Sequence, residues 1–148
     1  MEIKSRITIN STKNKVWEVI SNIENSNNFI TGIEKIEILE QKGKEFKGLK
    51  WKETRTMFGQ TATEIMWITD SKENESYSTR AESHGAIYIT EFKLQENDGT
   101  TELSMNFSSK SVTIKAKLLS IMFFIFMGST KKAFMDDLID IKAAVEKN

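Results

Sequence analysis

From Thr31 to about Ser109 the chain alternates apolar and polar residues in short runs separated only by turn formers, and this pattern constrains the fold more than any other feature. The punctuation is Gly43, Gly48, Gly59, the polar run 70–75, Gly85 and Asn97-Asp98-Gly99. Six strands fit between these marks, at about 32–42, 46–57, 60–69, 75–83, 86–95 and 100–109. Connections this short join antiparallel neighbours, because a parallel crossover needs a dozen residues or more. A meandering antiparallel sheet is expected. On its second strand Leu49, Trp51, Glu53, Arg55 and Met57 share one face, expected to point inward, while Lys50, Lys52, Thr54 and Thr56 share the other. Tyr88, Thr90, Phe92 and Leu94, then Leu103, Met105 and Phe107, are the expected inner faces of the last two strands.

The flanks add a seventh strand and the helices. Ile3, Ser5, Ile7 and Ile9 alternate with charged residues and Thr8, the signature of a half-buried strand. Asn10-Ser11-Thr12 supplies oxygens that can cap a helix, and Val16, Trp17, Ile20 and Ile23 recur at helical spacing. A turn through Glu24–Asn28 and the apolar pair Phe29-Ile30 give a helix, a turn and a second short helix. After Ser111 the period is helical to the end: Leu119, Phe123, Met127, Phe134, Leu138, Ile141 and Val145 fall on one stripe, with Thr130 as its polar interruption. Gly128-Ser129 sits mid-way, where a kink or a break into two helices is expected. The class is α+β.

With 148 residues, 39% hydrophobic and 28% charged, the chain reads as one domain spanning 1–148. A chain of this length buries roughly 68–70% of its unfolded surface, enough for a core with one internal cavity. Balanced charge, 21 basic against 21 acidic residues, excludes the broad basic footprint of a nucleic-acid binder. The absence of Cys excludes disulfides, thiolate nucleophiles and Cys-ligated metals, and the single His84 cannot build a multi-His site. No metal and no cofactor is expected. The N-terminal run has no apolar core of the kind a signal peptide needs, so a cytoplasmic protein is expected.

The order strand, two short helices, six antiparallel strands, long helix resembles the helix-grip superfamily of START-like proteins, which includes polyketide cyclases/dehydrases and birch-pollen-allergen-like proteins. The resemblance runs from about Ile3 to Glu146. It rests on Ile7-Thr8-Ile9 followed by Val16-Trp17-Glu18-Val19-Ile20, on Ile33 to Leu39 ahead of Gly48-Leu49-Lys50-Trp51-Lys52-Glu53-Thr54-Arg55, on Gly99-Thr100-Thr101-Glu102-Leu103, and on Leu138-Ile139-Asp140-Ile141-Lys142. Ser11-Thr12-Lys13 stands where the family usually has a Pro before the Val-Trp helix, and Phe29-Ile30-Thr31 replaces a Trp-x-Pro-like element. The resemblance implies a curved seven-stranded antiparallel sheet gripping the C-terminal helix, with an apolar cavity between them for lipids, polyketides or other hydrophobic small molecules. It carries no universal catalytic motif.

The residues that could line such a cavity are Trp51, Glu53, Arg55, Tyr77, Tyr88, Phe92, Met105, Phe107 and Phe134. Glu53 and Arg55 invite two readings. Arg55 can clamp a carboxylate or enolate oxygen with Glu53 as general base, or the two can form an ion pair with each other. Tyr77 and Tyr88 offer an orienting hydroxyl or ordinary core packing. Trp17 and Trp67 read as core fillers, His84 as a turn residue, and Gly43–Gly48 as a plain turn. Asp136, Asp137 and Asp140 read as a solvated helix face, since two or three carboxylates fall short of the oxygen ligands a cation needs.

Leu118–Met127 is apolar around its whole circumference yet spans only about 15 Å as a helix, half a bilayer's hydrocarbon core. A homodimer or a transient membrane contact through this segment is expected, unless the short helices or loops cover it. Two main functions follow: a carrier of a hydrophobic small molecule, or a cyclase/dehydratase-type enzyme using Glu53 and Arg55. A protein-interaction module is the third.

Overall fold

The computed structural model describes residues 1–57, 59–111 and 127–147. Seven strands are formed: β1 (Glu2–Ile9), β2 (Ile33–Glu40), β3 (Lys50–Met57), β4 (Gln60–Lys72), β5 (Ser76–Ser83), β6 (Ala86–Asn97) and β7 (Thr100–Ser111). Helix α1 (Lys13–Ile20) and a 3-10 helix (Ile23–Asn28) lie between β1 and β2, and helix α2 (Met127–Glu146) closes the described chain. All pairings are antiparallel, in the order β1-β7-β6-β5-β4-β3-β2.

The turns follow from local chemistry. Ser83 pairs with Ala86 around His84-Gly85, and Asn97 with Thr100 around Asp98-Gly99. All four loop residues have positive φ (50°, 77°, 50° and 81°), as the two-residue turns matching strand twist require. His84 is thus an exposed turn residue, as its position in the sequence suggests. Register shifts between Ile33 and Lys35, between Ile38 and Glu40, and between Ile68 and Asp70 mark bulges that bend the sheet.

The concave face takes the expected sets. Ile3, Ile9, Leu49, Trp51, Ile68, Tyr77, Leu94, Leu103 and Met105 are buried. Helix α1 starts where expected, with Thr12 Oγ1 accepting the Lys15 backbone N–H at 3.4 Å, and it buries Val16, Trp17 and Ile20. Phe46, in the loop before β3, packs edge-on against Trp17 and Tyr77, with ring centroids 5.8 and 5.2 Å away. Helix α2 lays Leu138, Ile141 and Val145 on the core. Its C-terminal end is tied to β1: Lys142 Nζ donates to the Thr8 carbonyl at 2.6 Å, and the Asn10 N–H to Glu146 Oε1 at 2.7 Å.

Several expectations need correction. Trp67 is not a core filler: Met66 and Ile68 turn inward on either side of it, and it stands half-buried on the convex face between Lys50 and Arg80. Asp137 is not on a solvated face, and Asp140 accepts the Thr31 N–H at 2.8 Å; only Asp136, exposed and paired with Lys132, behaves as expected. Strand β3 begins at Lys50 rather than 46. Gly128 and Ser129 are helical, in the first described turn of α2, and the upstream part of the helix, with the kink or break expected near these residues, lies outside the described residues. So does most of the Leu118–Met127 segment expected to meet a partner or a membrane. No helix among the described residues is long and apolar enough to cross a membrane.

Candidate ligand-binding site

A cavity of about 310 Å³ lies between the concave sheet and α2. Every residue expected to line such a space borders it: Trp51, Glu53 and Arg55 from β3, Tyr77 from β5, Tyr88 and Phe92 from β6, Met105 and Phe107 from β7, and Phe134 from α2. Ile20, Ile23, Phe29 and Ile30 close one side from α1 and the segment after it. Their contribution was hidden in the sequence because a sheet pattern says nothing about which loops fold over its concave side.

The walls are aromatic. Tyr88 and Phe107 stack with ring centroids 6.0 Å apart, and Phe134 leans on Phe107 at 5.0 Å, joining β6, β7 and α2. Tyr77 meets Phe92 at 5.0 Å and Trp17 at 5.9 Å. Its hydroxyl is committed to structure, donating to the Ile20 carbonyl at 3.2 Å, and burial, with the charge of Glu53, raises its pKa far above the ordinary phenol value. The Tyr88 hydroxyl, by contrast, has no hydrogen-bond partner among the described residues, and Tyr88 borders the cavity. Burial and then the charge of Glu64 raise the Tyr88 pKa. The Trp51 indole N–H is buried without a partner among the described residues.

One pole is charged. Arg55 Nε donates to Glu53 Oε2 at 3.2 Å and Nη1 to Asp137 Oδ2 at 2.8 Å. The three side chains keep only 14–20% of their surface exposed. Asp137 was missed as a site residue, although its spacing signals it: it follows Phe134 by three and precedes Ile141 by four, on the stripe that meets the sheet. Burial pushes its carboxyl up to about 6 against the pull of Arg55, with Glu53 and Asp140 adding repulsion. For Arg55, burial alone would lower the pKa, but the two carboxylates outweigh it and raise it. Gly32 packs over the pair, where a Cβ would stand 3.4 Å from Arg55 Nη1 and 3.8 Å from Asp137 Oδ1.

A larger depression, about 410 Å³, lies on the outer face of β1, β7 and β6. Its rim is Lys4, Arg6, Glu91, Lys93 and Glu102, and among the described residues that line it Met105 is the one apolar side chain and none is aromatic. The cavity under α2 is the better candidate because it combines aromatic walls with a few converging polar groups.

The sequence matches no family model and no curated protein. Among solved structures, the protein TTHA0849 of Thermus thermophilus superposes with a TM-score of 0.80 at 12% identity, over 99% of this chain and 98% of its own. The Zhui aromatase/cyclase of Streptomyces sp. R1128 gives 0.75 at 14% identity, covering 99% and 94%. A START superfamily protein of Mycobacterium smegmatis gives 0.71 at 12% identity, covering 99% and 97%. The chain has the START-like helix-grip fold. In START-like terms the seven-stranded sheet is the grip and α2 the gripped helix, with the cavity between them.

Proposed function

We propose that this START-like chain binds an apolar small molecule in the cavity beneath α2. The observation that carries the reading is the cavity itself: about 310 Å³ of space walled by Phe, Tyr, Trp, Met and Ile side chains, with its polar groups gathered at one pole. An apolar ligand of that size gains roughly 25 cal/mol for each Å² it removes from water. The test is mass spectrometry of what travels with the natively purified protein, followed by titration with the neutral apolar dye Nile red. Saturable binding at one dye per chain is the expected result, and absence of both cargo and dye binding rejects the reading.

A cyclase/dehydratase-type activity is the second reading, favoured by one observation. Asp137, with its carboxyl pushed up to about 6 and against Arg55, can give or take a proton near neutral pH, whereas Glu53 was the candidate general base expected from the sequence. Turnover of a polyketide-like substrate that Asp137→Asn slows by about 10²–10⁴-fold supports it. The carrier reading is preferred because Arg55 already spends its Nε and Nη1 donors on carboxylates of its own chain.

A further inference from the structure

The polar pole of the cavity carries the opposite charge from the one expected of an arginine clamp. In the β3–β4 register Glu53 stands directly opposite Glu64, and both side chains border the cavity. Like charges at facing positions repel unless something of opposite sign lies between them. Arg55 relieves Glu53 but is shared with Asp137. Glu64 has no ion pair or hydrogen bond among the described residues. Its described neighbours around the cavity include no Lys and no second Arg, so three carboxylates face one guanidinium. An anion approaching Arg55 would meet the two carboxylates that already hold it.

The other walls suit a cation. The rings of Tyr88, Phe107 and Phe134 border the same cavity, and aromatic rings attract ammonium groups. The unpartnered Tyr88 hydroxyl can accept a hydrogen bond from an ammonium or donate to Glu64. We propose that the cavity selects an apolar molecule bearing a protonated amine, its ammonium seated by Glu64 and Glu53 and its apolar body among the aromatic rings. This rests on the proposed carrier function and gives it a ligand class.

The test compares decylamine, decanol and decanoate as competitors of Nile red at pH 7.5, the two ions below their micelle concentrations and decanol below its solubility limit. Decylamine is expected to displace the dye at concentrations at least tenfold below decanol, with decanoate the weakest. Glu64→Gln should lower the decylamine-to-decanol affinity ratio about tenfold. Decanoate matching or exceeding decylamine overturns the proposal, as does a ratio that Glu64→Gln does not move. Should that variant fail to fold, the order of the three competitors on the native chain still decides. If decanol binds and the charge order is absent, only the amine preference falls; if neither dye nor any competitor binds, the carrier function falls with it.

Discussion

The Arg55 Nη1 that donates to Asp137 Oδ2 at 2.8 Å joins β3 to α2 across 82 residues of sequence. The same guanidinium holds Glu53 at 3.2 Å, so one cation neutralises parts of two carboxylates that are largely out of water. Removing the shared member therefore differs from removing either carboxylate.

Arg55→Leu is expected to cost about 3 kcal/mol or more, because it strands Glu53 and Asp137 without a partner. Asp137→Leu should cost clearly less, since Arg55 keeps Glu53. Urea unfolding of the two variants checks this order, and equal losses would show that the triad does not act as a unit.

The raised Asp137 carboxyl has a defined pH signature. The folded chain holds this proton up to about pH 6, whereas an unfolded Asp releases it near 3.9. Between those values the folded state binds more protons, so the contribution of Asp137 to stability is full at low pH and falls as pH rises through 6. The wild type should lose roughly 2–3 kcal/mol relative to Asp137→Asn between pH 4 and 7. Denaturation series on both proteins across that window measure it; parallel curves would mean that Asp137 ionises normally.

Met105 is buried on β7 at the cavity wall, 4% exposed. Met105→Trp should fill the space and abolish Nile red uptake while costing about 1–3 kcal/mol. Undiminished uptake would place the bound dye elsewhere on the chain.

Tyr77→Phe removes the donor to the Ile20 carbonyl and should cost about 1–2 kcal/mol, since a buried acceptor is left unmatched. Thermal or urea unfolding reads the loss directly. No change in stability would show that the Ile20 carbonyl finds another donor.

The sequence alone determined the sheet and its faces. With a side-chain period of two, one inward residue fixes the rest of its strand, so Trp51, Glu53 and Arg55 follow from the alternation of β3, and Tyr88, Phe92, Met105 and Phe107 from β6 and β7. The turn glycines located the hairpins because positive φ is costly for other residues. Only the tertiary structure decided what these faces meet. The rotation of α2 about its own axis is set by packing against the sheet, and that rotation turned Asp137 toward Arg55 while leaving Asp136 in water. Trp67 shows the same limit, since an apolar residue flanked by apolar neighbours does not announce its face until the register is known. Glu53 opposite Glu64 is likewise a property of two strands together, because repulsion between facing charges exists only once the strands are paired.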